Sequence, residues 1–362
     1  MARYHQLYGN PSARKKKIRN RKIFLFTILL LIAIGIAFLF GVYQYVLKTN
    51  VWTADGERTE VIIPTGTDYE GIKLIIYSKG IILNRNSFEL VSKALKYHEN
   101  VKPGRYLIDA GMNNLKLVRL LRSGKQSPVQ LTFNNMRDVA QLAGRVGAQI
   151  ELDSVSLVDR LSDTAYLSFL GFNLQTIPAL FIPNTYAFYW TTNADNFISR
   201  MYQEYKRFWN EERLNKASAL GFSPVQVSIL ASIVDKETNM NDEKQRIAGV
   251  YINRLRGGWR LQADPTLVFA AGDFEIRRVL DIHKTIESPY NTYKYTGLPP
   301  GPICIPSIAS IDAVLNFEKH RFYFFCAKDD LSGYHAFAET YEQHQLNAWR
   351  YRQALDRLNI KR

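Results

Sequence analysis

Residues 23–47, from Ile23 to Leu47, carry no charged side chain, and only Thr27 and Gln44 among them are clearly polar. As a helix this run is about 37 Å long, enough to cross the hydrocarbon core of a bilayer with some tilt. It has neither the shorter apolar stretch nor the small-residue cleavage site of a secretory signal peptide. Reading it as a buried core helix leaves the preceding basic run unexplained. That run is Arg3, Arg14, Lys15, Lys16, Lys17, Arg19, Arg21 and Lys22, with no acid among them. Positive charge beside a span stays on the cytoplasmic side. The expectation is a single-pass membrane protein, with residues 1–22 a cytoplasmic basic tail, 23–47 the transmembrane helix, and everything beyond Lys48 extracytoplasmic.

The basic tail supplies more than half of the formal charge of +14, so the excess of Lys and Arg is no argument for nucleic acid, and none is expected as a partner. At 46% hydrophobic and 22% charged, the 362 residues are neither disordered nor collagen-like. An extracytoplasmic body points away from ATP-dependent chemistry and toward cell-envelope polymers. Cys304 and Cys326 form one bridge at most. The six histidines, His5, His98, His283, His320, His335 and His344, are scattered, and no His-Glu-x-x-His, Gly-x-Ser-x-Gly or Gly-rich phosphate loop occurs. No metal and no cofactor are expected.

Beyond a polar linker at 48–58, residues 59–128 read as a small module. A β-branched run, Glu60-Val-Ile-Ile-Pro-Thr-Gly-Thr67, gives a strand entering a turn, and Ile72, Leu74, Ile75 and Ile76 a helix ended near Gly80. Phe88–Tyr97 reads as a second helix and Pro103–Ile108 as a returning strand. Leu115, Leu117, Val118, Leu120 and Leu121 mark an amphipathic helix stopped by Gly124. This β–α–α–β order resembles a LysM-like domain, a type that often binds sugar chains; a spacer is the plainer alternative.

Residues 129–362 read as a second domain, of mixed α/β character. A helical stretch runs from about Arg137 to Phe172, and the aromatic segment Phe181–Trp190 reads as core. Ser223-Pro-Val-Gln226 combines a capping Ser, a Pro at the first helical position and a Gln at the third. Projected at 100° per residue, that helix gathers Leu230, Ile233, Val234 and Glu237 in one stripe and sends Asp235 toward solvent. A carboxyl at the end of an apolar face is partly desolvated, which raises its pKa and suits a general acid. A Glu that simply ends a helix, or pairs with Arg, fits the same pattern. A second helix is expected to be capped by Asp242 and to end at Gly257-Gly258. Trp259–Asp264 alternates as a strand would, turning Arg260, Gln262 and Asp264 to one side. Ser288–Tyr293 and Thr296–Pro302 are stiff, turn-rich loops.

Taken together, Ala231-Ser-Ile-Val-Asp-Lys-Glu-Thr238, Ile247-Ala-Gly-Val-Tyr-Ile-Asn-Arg-Leu255, Arg260-Leu-Gln-Ala-Asp-Pro-Thr266, Tyr290-Asn-Thr-Tyr293 and Gly297-Leu-Pro-Pro-Gly301 occur in the order found in the YceG-like endolytic murein transglycosylases. The anchor and Val61-Ile-Ile-Pro-Thr-Gly66 resemble that family too, so the likeness spans almost the whole chain past residue 20. It implies an α+β protein of the inner (cytoplasmic) membrane with a periplasmic or equivalent extracytoplasmic catalytic domain. Its substrate would be nascent peptidoglycan, cut between MurNAc and GlcNAc to leave 1,6-anhydroMurNAc ends and limit strand length. Glycan strands, the membrane and peptidoglycan synthases are the implied partners.

The family's catalytic acid maps onto Glu237, and Gln262, Asp264, Thr266, Tyr290, Asn291 and Tyr293 are the expected substrate-binding residues. Several positions depart from the family pattern. Asp235 stands where the family usually has Glu, Asn184 where it has Asp, and Ile305-Pro306-Ser307 where Asn-Pro-Gly is common. His335, Phe337, Glu342 and His344 match positions expected to shape the site. A lysozyme-type hydrolase using Glu237 and Asp264, and a non-catalytic glycan-binding scaffold, are the alternatives.

Overall fold

The computed structural model describes residues 11–276 and 278–357, so the first ten residues of the basic tail, with Arg3 and His5, lie outside the described residues. Helix α1 (Pro11–Val42) runs on into one π-helical turn, Tyr43–Leu47. Within Lys15–Leu47 an 18-residue window reaches a mean hydropathy of 3.1, and none of that window is buried in the protein. An unburied window that is apolar all round is consistent with a membrane anchor. The chain then divides into two compact units, Met1–Ser127 and Pro128–Arg362.

In the first unit, β1 (Thr59–Ile63) is followed by α2 (Tyr69–Ser78), α3 (Arg85–Ala94), β2 (Gly104–Ile108) and α4 (Asn114–Ser123). Strands β1 and β2 pair antiparallel, with Val61 opposite Tyr106. Asp68, Asn84 and Asn113 each accept a backbone N–H in the first turn of the helix that follows, the side-chain chemistry that starts helices. In the polar segment 48–58, Asn50, Val51 and Thr53 are buried and Ala54–Arg58 are exposed. Val51 is 1% exposed and bridges Ile82, while Thr49 bridges Asn113. The Asn50 amide donates to Asn114 Oδ1 (2.6 Å), and Asn114 Nδ2 donates to Tyr45 O (2.8 Å) at the end of the membrane helix. A buried amide must be bonded, and here that requirement ties the anchor directly to the module.

The second unit begins with β3 (Val129–Phe133), then α5 (Val139–Gly147), α6 (Ser154–Arg160) and α7 (Thr164–Phe169). Asp138, Asp153 and Asp163 cap these three short helices. Strand β4 (Asn184–Phe188) pairs antiparallel with β3, and α8 (Ala194–Phe208) closes one core. Phe181, Tyr186 and Phe188 are buried there, as the aromatic segment suggested. A second core is built from α9 (Glu211–Leu220), α10 (Pro224–Glu237), α11 (Lys244–Arg256), α12 (Asp264–Ala271) and α13 (Ile308–Leu315). The hairpin β5 (Phe324–Ala327) and β6 (His335–Ala338) and then α14 (Tyr341–Arg357) complete the described chain.

Helix α10 runs through the middle of this second core. Its start carries the reciprocal Ser223–Gln226 box that the sequence promised. Every residue from Val227 to Asp235 is buried, which overturns the solvent-facing placement of Asp235: α9, α11, α12 and α13 all pack on the helix, and beyond Asp235 its last turn leaves Lys236 exposed and Glu237 half-buried. Two further expectations fail. Helix α11 starts after Glu243 without a side-chain cap, and Asp242 instead accepts a hydrogen bond from Tyr334 Oη. Trp259–Asp264 is no strand, because no neighbouring strand lies alongside to pair with it; Asp264 opens α12. The burial alternation survives only at Leu261 and Ala263, which are inside, whereas Trp259 is exposed. Cys304 and Cys326 are both free thiols.

Candidate active site

Helix α10 delivers Glu237 as its last residue, where the side chain leaves the core and enters a cavity of about 710 Å³. Lys236, Asp264, Phe269, Phe274, Arg137 and Arg278 stand around the same cavity. Tyr251, on α11, is 1% exposed and donates its hydroxyl to Glu237 Oε1 at 2.5 Å. One turn further, Arg254 is also buried, but its guanidinium is spent on carbonyls, donating to Tyr323 O (2.7 Å) and Leu261 O (2.5 Å). It therefore lends Glu237 positive potential without a direct ion pair.

Burial dominates the charge state of Glu237. Desolvation pushes its pKa up, the Tyr251 hydrogen bond pulls it back, the Asp264 charge raises it again and Arg254 lowers it, leaving it at about 7. A carboxyl poised there can give up and take back a proton at neutral pH. Across the cavity Asp264 accepts from Tyr293 Oη at 2.5 Å. Burial and that bond keep the Tyr293 hydroxyl protonated far above its ordinary range. Among the described residues no cluster of His, Cys, Asp and Glu has the makings of a metal site.

The structure brings together Glu237, Asp264 and Tyr293. Tyr290 packs behind the cavity wall, its ring 4.6 Å from that of Phe269. Thr266 and Asn291 are not available to a substrate, being 0% exposed. Thr266 Oγ1 donates to Ala263 O and meets Thr292 Oγ1. Asn291 donates to Lys284 O and Ile286 O and accepts from Tyr293 N. Their polar groups are consumed in holding the 284–295 loop against the start of α12. Gln262 is exposed outside the cavity wall, with a left-handed φ of 50°, and its backbone N–H donates to Thr292 O. These three positions shape the loop that carries Tyr293.

Sequence reasoning gave Tyr251 and Arg254 no role, although the signal was present: they stand three apart in Ile247–Leu255, on one face of a helix. His335 donates its backbone N–H to Glu243, and its ring Nδ1 lies 2.9 Å from the same carboxylate. His344 stacks on Phe324. Both hold the C-terminal hairpin and helix in place.

The sequence pattern of the YceG-like family matches residues 61–350. A Bacillus subtilis (strain 168) protein named endolytic murein transglycosylase is 27% identical over 333 residues, covering 86% of this chain and 89% of its own. A Streptococcus pneumoniae (strain R6) protein of the same name is 24% identical over 366 residues, covering 90% of this chain; the chain spans 64% of that longer relative. The crystal structure of a yceG-like protein from Listeria monocytogenes superposes with a TM-score of 0.55 at 27% identity, covering 80% of this chain and 98% of that one.

Proposed function

The chain belongs to the YceG-like family, and from that premise we propose that it is a membrane-anchored endolytic murein transglycosylase, with Glu237 as its catalytic acid and base. The observation that carries the proposal is the Glu237 carboxyl, held protonated near neutral pH by burial and seated on Tyr251 at the wall of an open cavity. Glu237 gives its proton to the oxygen joining MurNAc to GlcNAc, and the C1–O bond breaks as positive charge develops at C1. The N-acetyl oxygen of MurNAc supports that charge from the opposite face. The Glu237 carboxylate then takes the proton of the same sugar's 6-hydroxyl, and O6 bonds to C1, closing the 1,6-anhydro ring without water. The acid ends as it began, so no second carboxylate is consumed.

Asp264 and Tyr293 stand where they would orient the sugar, and the Phe269 and Phe274 rings offer it apolar faces. The exposed apolar helix supports anchoring in the cytoplasmic membrane, and the basic run before it supports a cytoplasmic N-terminus, an extracytoplasmic catalytic domain and access to strands leaving the synthases. The β1-α2-α3-β2 order supports the LysM-like reading of the first unit, and with it a second hold on the glycan.

Glu237→Gln is expected to keep the fold and to abolish release of anhydro-ended products from purified glycan strands, read by mass spectrometry. Near-normal turnover by that variant would falsify the assignment. Because Asp264 shares the cavity, a hydrolase is the second reading. Its products carry one more water at the cut end, which the same spectrum distinguishes.

A further inference from the structure

Asp235 stands two residues before Glu237 and about 160° around α10 from it, and the mechanism above leaves it unused. Its side chain is 2% exposed and that of its partner Lys244 is 7% exposed. A buried carboxylate is costly unless fully bonded, and this one is. Lys244 Nζ donates to Oδ1 at 3.0 Å and Ser307 Oγ at 2.5 Å; Ser310 Oγ donates to the same oxygen, and Asn135 Nδ2 donates to Oδ2 at 2.8 Å. The donors come from the start of α11, from the cap and first turn of α13, and from the β3–α5 connection. Burial works to raise the Asp235 pKa, but the four donors outweigh it and hold the group below its ordinary value, so it is a fixed anion.

Helix α11 thus grips the last turn of α10 at two points on opposite faces, Lys244 on Asp235 and Tyr251 on Glu237. We propose that Asp235 and Lys244 are positioning residues whose buried pair fixes α10 against α11 and thereby seats Glu237 on Tyr251. This rests on the reading of Glu237 as the acid. A helix terminus is the part of a helix that frays, and Glu237 is the terminal residue, so without a second grip its carboxyl wanders from the glycosidic oxygen. Misplacement by about 1 Å costs about a hundredfold in rate.

The groups facing Glu237 are Tyr251 and Arg254 from α11, Asp264 from α12, Tyr293 from the loop, and Lys236, Arg137 and Arg278 around the cavity. Of these only Tyr251 is a hydrogen-bond partner, and its bond lowers the Glu237 pKa. Loosening α10 against α11 disturbs both the burial and the Tyr251 bond that set the Glu237 pKa, so it shifts the alkaline limb of the rate while kcat falls. A cavity of about 450 Å³ beside Asp235 and Lys244 leaves room for one more methylene.

The test uses the full chain in detergent on purified glycan strands. Asp235→Asn is expected to lower kcat about tenfold or more with KM nearly unchanged, and to shift the alkaline limb, while Asp235→Glu restores both. Should Asp235→Asn fail to fold, Asn135→Ala, which removes one exposed-side donor, is expected to show a smaller loss of the same kind. A folded Asp235→Asn with wild-type kcat and pH limb, or a variant that only melts earlier, overturns the proposal; so does an Asn135→Ala enzyme with wild-type kinetics if the first variant cannot be made. Absence of anhydro ends from the wild-type enzyme would instead remove the proposed function itself.

Discussion

At the scale of single residues, the pKa of Glu237 ties stability and activity to the same pH window. An unfolded Glu ionises near 4.5, whereas the folded carboxyl holds its proton to about 7. Between these values the unfolded state has already released a proton that the native state keeps, so native stability declines as pH rises and the loss is complete above 7. Glu237→Gln escapes that loss. It is expected to match wild type at pH 4 and to exceed it by about 2 kcal/mol at pH 8, less than the full linkage because the cavity admits water. Denaturant unfolding at the two pH values checks this, and an equal offset at both would mean that the carboxyl is ionised throughout. Tyr251→Phe deletes the bond that lowers the Glu237 pKa, so its rate should persist to higher alkaline pH at reduced kcat. An unshifted profile would disconnect Tyr251 from the acid.

Elements show where sequence patterns suffice. The beginning of α10 was legible because a capping box is a local device: Ser223 and Gln226 satisfy each other's backbone whatever lies around them. The orientation of α10 was not legible, because a helix enclosed on all sides has no polar face for a projection to find, and Asp235 was misdirected for that reason. Helix α11 adds a case where propensity and packing disagree. A Cβ on Gly249 would stand 2.4 Å from Glu318 O and 2.6 Å from His320 Nε2, on a segment already bonded to the helix through Glu318 N and Gln245 O. Helix propensity alone makes Gly249→Ala stabilising by about 1 kcal/mol. The backbone clash should reverse the sign and destabilise by about 2 kcal/mol. Chemical denaturation decides between them, and a stabilised variant would show that the segment yields.

At the scale of the whole molecule, the anchor gives the sharpest prediction. If the basic residues at the N-terminal end of α1 (Arg14–Lys22) stay inside, protease added to spheroplasts should digest the body and spare an N-terminal tag; loss of the tag would invert the topology. The resemblance to the YceG-like family singled out Glu237, while sequence alone determined the apolar N-terminal helix, the order of elements in the first unit and the start of α10. Each of these follows from composition or from contacts within a few residues. Only the tertiary structure decided that Asn50, Val51 and Thr53 are buried in the module and that Thr266 and Asn291 are spent on a loop. It likewise decided that Tyr251 holds the acid and that Asp235 is buried on a lysine. Those outcomes depend on which polar groups lose water together when distant segments meet, and desolvation of that kind leaves no periodicity in the chain.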